Sequence, residues 1–268
     1  MPLKNKIILI TGSSTGIGAA IARRCIAQGA KVMLHGRDKE RTQAMCKELG
    51  SNAQFVIASL EDFSSCKKII DATVDAYGTI HGLVNNAAIY PRNTIDTANV
   101  ELFDRIINVN VKAPLFLSQE ATKIFRKQTQ GGSIVNIGSI NAYCGQPDLL
   151  CYSMSKGALM TMTRNLADSL GPEKIRVNQL NVGWTPTDNE VALKKEEGLP
   201  HDWEMRIPTM YAPIGRLQTP DNVAAHVTFW LSDDSIPTSG AVYEVEQYPV
   251  IGRNRLSDLK MSDEGDKR

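Results

Sequence analysis

The sequence predicts an α/β fold: a single doubly wound domain with a mostly seven-stranded parallel sheet and helices on both faces. Three observations carry this prediction. Short apolar runs bounded by turn residues alternate with longer segments of helical period along most of the chain. A glycine-rich turn joins the first such run to the first helical segment. The length of 268 residues fits one α/β domain. Each link between successive runs is long enough to hold a helix, which is the connection that parallel strands require.

Composition narrows the class further. Formal net charge is +1 and 42% of the residues are hydrophobic, which suits a soluble body with a substantial core and excludes a strong pull toward nucleic acid or membrane. The apolar run IILI near the start is too short for a signal peptide, and no run approaches the roughly eighteen residues of a membrane span, so a cytoplasmic location is expected. The five cysteines, Cys25, Cys46, Cys66, Cys144 and Cys151, are scattered, without a Cys-x-x-Cys or clustered histidines. That pattern argues for free thiols and against a disulfide framework or a metal site. Cys144 and Cys151 flank the segment before Tyr152, where a reactive thiol and a small buried hydrophobe are alternatives.

Taken in order, Lys6 to Ile10 reads as a buried strand, TGSSTGIG as a turn, and the spacing of Ile17, Ala20, Ile21 and Cys25 as a helix ending near Gln28. A strand, a glycine turn and a helix form the setting of a phosphate-binding loop. Glycines let the backbone turn and approach a pyrophosphate, and the helix start offers free N–H groups and a positive dipole. Strands follow at Lys31 to His35 and Gln54 to Ala58, with helices at Lys39 to Leu49 and Phe63 to Ala76. GLVNNAAI is the fourth strand. Val100 to Phe125 is a long helical segment that Pro114 should bend or divide. SIVNIGS, IRVNQLNV and GAVYEV give the remaining strands, and Asp221 to Leu231 the last helix.

Thr11 with Gly12, Gly16 and Gly18 gives TG-x-x-x-G-I-G, which resembles the short-chain dehydrogenase/reductase family. NNAA at Asn85 to Ala88, INVNV around Asn110, and Ser139 followed by Tyr152 and Lys156 resemble further family segments in family order. The resemblance runs from Lys6 to about Gly252. It implies a Rossmann-type cofactor domain over residues 1–252 with Gly12, Ser14, Gly16, Ile17, Gly18, Asn86 and Ala87 against a dinucleotide. Gly183, Thr185 and Thr187 are implied on the nicotinamide side, although Val182 stands where relatives have proline. Ser59 stands where relatives carry an aspartate against adenine, and Ala88 replaces a glycine.

The second strand ends in HGRD. An acidic residue near this point binds the ribose hydroxyls of NAD, whereas a basic one can receive the 2'-phosphate of NADP. Gly36 and Arg37 therefore predict NADP(H), with NAD(H) as the alternative and no metal. Tyr152 and Lys156 are four apart and share a helix face, which suits a proton donor beside a cation. The resemblance implies four catalytic residues: Tyr152 as proton donor, Ser139 as hydrogen-bond donor to the substrate oxygen, Lys156 on the ribose and lowering the tyrosine pKa, and Asn110 holding a relay water.

The expected activity is hydride transfer between NADP(H) and a carbonyl or secondary alcohol of a small substrate. Tyr90, Arg92, Asn141, Tyr143, Gln146 and Trp184 are candidates to line its pocket, and their mixed polar and aromatic character favours a hydroxylated molecule. The alternatives are an NAD-linked sugar or polyol dehydrogenase and a non-catalytic NADP-binding sensor. Residues 184–219 are rich in proline and suggest a substrate loop or lid. Residues 253–268 read as a polar, flexible tail. Family resemblance also implies a homo-oligomer, a tetramer or dimer joined through the helices that contain Asn110 and Tyr152.

Overall fold

A computed structural model of the chain describes residues 1–143, 145–200, 202–209 and 211–248. Cys144 and the tail at 253–268 lie outside the described residues. Seven strands form one sheet: β1 (Ile7–Ile10), β2 (Lys31–Gly36), β3 (Ala53–Ile57), β4 (Gly82–Asn85), β5 (Gly132–Ser139), β6 (Ile175–Val182) and β7 (Val242–Val245). All pairings are parallel and the order is β3-β2-β1-β4-β5-β6-β7. The chain winds outward in both directions from β1 and β4, so their carboxyl ends open a crevice between connections that leave to opposite sides.

The helices are α1 (Gly16–Ala27), α2 (Lys39–Leu49), α3 (Ser64–Tyr77), α4 (Val100–Ile107), α5 (Ala113–Phe125), α6 (Leu150–Leu170), α7 (Asp188–Glu196) and α8 (Pro220–Leu231). Successive strand residues point to opposite faces and build two cores. Ile8 and Ile10 pack with Ile21 of α1 and Val227 of α8, while Leu9 between them packs with Ile69 of α3, Leu117 of α5 and Ala167 of α6. Each fully buried Ile or Leu contributes roughly 1.5–3 kcal/mol, which is why the central strands tolerate little besides aliphatic residues.

Segment 100–125 departs from a single bent helix. Residues Asn108–Lys112 form a π turn between α4 and α5, in which the Ala113 N–H reaches back to the Asn108 carbonyl. Pro114 sits in the first turn of α5 rather than at a kink. It has no N–H to return to the Asn110 carbonyl four residues earlier, so the break falls one turn ahead of it.

Buried amides cross the sheet in a chain of partners. Asn85 Nδ2 donates to Ser118 Oγ and Asn136 Oδ1, Asn136 Nδ2 to Thr163 Oγ1, Thr163 to Gln179 Oε1, and Gln179 Nε2 to Asn181 Oδ1. These bonds give most polar atoms of these side chains inside β4, β5 and β6 a partner, Asn85 Oδ1 and Asn181 Nδ2 being the exceptions in this chain. They also fix α6, which carries Thr163, against the sheet. Between β6 and α8 the chain leaves the sheet, and Trp203, Ala212 and Leu217 form a small separate core against Trp184, Val191 and Leu199.

Candidate active site

The glycine loop follows β1 because its backbone must pass where side chains cannot. Gly12 has φ +60°, and a Cβ there would lie 2.9 Å from the Ala87 backbone. At Gly18 a Cβ would lie 2.2 Å from the Gly12 carbonyl oxygen. α1 then begins without a side-chain cap on its N–H groups and without an acidic residue in its first turn. By contrast, Asp38, Asn99 and Thr219 cap α2, α4 and α8. An uncapped helix start beside a loop stripped of side chains is a cradle for an anion, and this geometry fits the pyrophosphate of a dinucleotide.

Side chains fasten that loop to its neighbours. Thr11 Oγ1 accepts from the N–H groups of Asn86 and Ala87, each at 3.0 Å. Asn86 Nδ2 returns hydrogen bonds to the carbonyls of Thr11 (2.8 Å) and Gly12 (2.9 Å). His35, at the end of β2, accepts the Gly12 N–H on Nδ1 (3.3 Å) and bonds the Ala58 carbonyl through Nε2 (3.2 Å). Those partners require neutral imidazole with its proton on Nε2. Burial pushes the His35 pKa down to about 4. His35 is a site residue that sequence reasoning did not single out, its place at the end of an apolar strand being the available signal, and Thr11 was read only as the first residue of the glycine motif.

One cleft of about 730 Å³ runs from this loop to the segment after β6. On the cofactor side it is lined by Gly12, Ser14, Gly16, Ile17, Gly18, Arg37, Asn86 and Ala87, and beyond the sheet by Gly183, Thr185 and Thr187. Ser59 is exposed and does not line it; Leu60 and Glu61 stand at that rim instead. Arg37 is exposed, with its guanidinium 3.7 Å from Glu61, which also accepts from Arg105 at 2.9 Å. Gly183 leaves room for the Glu246 carboxylate, whose Oε2 accepts the Trp184 N–H at 3.3 Å.

Ser139 ends β5 and Tyr152 lies in the first turn of α6, so strand and helix bring their hydroxyls together. Ser139 lies close enough to Tyr152 to favour its phenolate, and its Oγ accepts the Asn141 N–H at 3.2 Å. The Lys156 ammonium lies 5.6 Å from the Tyr152 ring centroid, and Tyr90 meets the same ring edge-on at 6.0 Å. Lys156 is buried and donates to the Ile137 carbonyl at 2.7 Å. Burial brings its pKa down to about 8. Burial also pushes Tyr152 up to about 12, opposed by Ser139. The expected lowering of the phenol pKa is therefore not a property of the side-chain cluster by itself: desolvation of the phenolate dominates.

Asn110 stands behind this group rather than on the cleft wall. Its amide donates to the Ile89 carbonyl (2.8 Å) and Ser155 Oγ (3.0 Å), and its oxygen accepts the Ile89 N–H (2.9 Å). It ties the exit of β4 to the helix that carries Tyr152. Of the substrate-side candidates, Tyr90, Arg92, Asn141, Gln146 and Trp184 line the cleft. Tyr143 does not; its hydroxyl meets Asn181 and Glu244. Cys151 is buried on α6, away from the lining, in the manner of a small hydrophobe.

Fold and site together define a dinucleotide-binding oxidoreductase of Rossmann type. A model of the short chain dehydrogenase family matches residues 6–198. An L-rhamnose 1-dehydrogenase (NAD(P)(+)) of Azotobacter vinelandii is 34% identical over 90% of this chain and 95% of its own length. A galactitol 2-dehydrogenase of Agrobacterium fabrum is 31% identical over 92% of this chain and 98% of its own length. The crystal structure of a 3-ketoacyl-(acyl-carrier-protein) reductase from Brucella melitensis complexed with NADH superposes with a TM-score of 0.81 at 30% identity, over 91% of this chain and 97% of that one. The chain belongs to the short-chain dehydrogenase/reductase family and is an NAD(P)-dependent oxidoreductase acting on CH–OH groups. Among the described residues, no helix is long and apolar enough to cross a membrane.

Proposed function

We propose that the protein transfers hydride reversibly between NADP(H) and a carbonyl or secondary alcohol of a small hydroxylated substrate. The observation that carries this reading is Ser139 and Tyr152 side by side with Lys156 over the same ring, in the cleft that begins at the glycine loop. When bound, the dinucleotide supplies the hydride. Tyr152 gives a proton to the substrate oxygen in the reducing direction and accepts it back in the oxidising one. Ser139 hydrogen-bonds that oxygen as negative charge develops. Burial favours the protonated phenol, the form reduction needs. Oxidation needs phenolate, and bringing a phenol from about 12 to about 7 takes roughly 7 kcal/mol of preferential stabilisation, which falls to Lys156 and the positive charge of oxidised cofactor. Asn110 positions the Ile89 backbone and α6, and its carbonyl, four residues before a proline, is the group assigned to the relay water.

Arg37 supports NADP(H). Its exposed contact with Glu61 contributes under about 1 kcal/mol, so a phosphate dianion competes for it readily. The names of the rhamnose and galactitol relatives support a hydroxylated substrate, as do Asn141, Gln146 and Trp184 in the cleft. Residues 184–219 serve as the lid. Exposed Leu115 on α5 and Met154 on α6 support association of copies through these helices, which light scattering would read as a dimer or tetramer.

The test is absorbance at 340 nm with both cofactors and a panel of ketones, ketoses and polyols. The expected result is turnover with NADPH favoured about ten- to a hundredfold, erased by Arg37→Ala. Equal use of NADH contradicts the NADP assignment and favours an NAD-linked sugar or polyol dehydrogenase. Binding without oxidation across the panel points to a sensor.

A further inference from the structure

One carboxylate on the cleft wall has a half-filled set of partners. Glu190 lies in the first turn of α7, where its N–H is capped by Thr187 Oγ1 at 3.2 Å. Its side chain lines the cleft, and Oε1 accepts the Trp184 Nε1–H at 3.1 Å. Among the described residues no donor reaches Oε2. The cations beside it are committed elsewhere: Arg92 bonds Glu197 at 2.9 Å and Asp148 at 3.1 Å, and Lys194 bonds Glu197 at 2.6 Å. The negative charge of Glu190 acts on both Tyr90 and Tyr152 and favours their protonated forms, so it lies within electrostatic reach of the reacting hydroxyl. A carboxylate oxygen that lines the cleft and takes no protein donor is open to a donor from a bound molecule.

We infer that Glu190 is a specificity-determining residue whose Oε2 accepts a hydrogen bond from a substrate hydroxyl other than the reacting one. The inference rests on the oxidoreductase reading above and narrows its substrate to neutral, polyhydroxylated molecules. The Trp184 ring, held by Trp203 stacked 5.0 Å behind it, offers an apolar face for the carbon skeleton. Carboxylate or phosphate groups are disfavoured, because Glu190 repels them and Arg92 and Lys194 already hold anions. A site built to bond a hydroxyl rejects the molecule that lacks it, since the site's own polar group is then left without a partner.

The test uses three ketones, 2-butanone, acetoin and 4-hydroxy-2-butanone, in which the second oxygen is absent, adjacent to the carbonyl, or one carbon further. Wild type is expected to prefer a hydroxylated ketone by about ten- to a hundredfold in kcat/KM, and Glu190→Ala to reduce that preference at least tenfold, with Glu190→Gln intermediate. Glu190→Gln should also move the pH midpoint of alcohol oxidation downward, an electrostatic effect that a purely structural role would not produce. NADPH fluorescence titration reports whether each variant keeps its cofactor site; if Glu190→Ala loses it, the near-isosteric Glu190→Gln carries the comparison. An unchanged hydroxyl preference and pH midpoint in variants that still reduce 2-butanone overturns the inference. Absence of turnover by wild type on all three ketones and on the wider panel overturns the oxidoreductase reading itself.

Discussion

At the glycine-loop end of the cleft, Thr11, Asn86 and His35 fasten one stretch of backbone to another, whereas at the α7 end Arg92, Lys194 and Glu197 fasten side chain to side chain. The first kind of bond is short-armed, part-buried and set by the sheet beneath it. The second spans flexible, part-exposed side chains, with Arg92 and Glu197 drawn from positions 105 residues apart. Backbone-anchored bonds hold a constant ligand in one geometry; ion pairs between part-exposed side chains contribute little to holding the structure in place. The glycine-loop end should therefore respond to single substitutions with large losses, and the α7 end with small ones.

The largest effect is expected where the two ends meet. Lys156→Met removes the ammonium beside Tyr152 and leaves the Ile137 carbonyl without its donor, so kcat/KM should fall by about a thousandfold. Gly18→Ala sets a Cβ against the Gly12 carbonyl and should raise the cofactor KM by about ten- to a hundredfold, corresponding to the ~1–3 kcal/mol of overpacking, while kcat changes far less. Both are read by steady-state kinetics with cofactor varied.

His35→Leu should raise the cofactor KM by about five- to tenfold, because the Gly12 N–H loses its acceptor. It also carries a pH signature. The folded His35 pKa is depressed from 6.5 to about 4, so between those values the unfolded chain binds more protons and wild-type stability falls with falling pH, by at most ~3 kcal/mol from this group. Thermal melts from pH 7 to pH 4 should show a shallower decline in His35→Leu. The smallest effect belongs to Arg92→Ala, with a loss under about 1 kcal/mol and a substrate KM raised only a few-fold. A tenfold change there would erase the contrast between the two ends.

The same contrast explains what could be read from the sequence. Gly12, Gly18 and Asn86 were legible because close backbone approach admits few residue types, and the alternating strands and helices followed from apolar period. Pro114 announced a break, but the π turn ahead of it depends on which carbonyl the proline leaves without a partner, a three-dimensional matter. Tyr143 looked like a pocket residue by its place after β5, yet it turns to Asn181 and Glu244. Glu190 carried no signal at all, since the role inferred for it depends on Trp184 on one side and on the pairing of Arg92 and Lys194 with Glu197 on the other.

The central claim is that one phenol moves the proton while the rest of the cleft binds. Tyr152→Phe tests it in a single sample, by following NADPH oxidation at 340 nm with a hydroxyketone and titrating NADPH fluorescence alongside. The account predicts turnover lowered by about a thousandfold or more with NADPH affinity within about threefold of wild type. Turnover within tenfold of wild type would contradict it and take the proton transfer away from Tyr152.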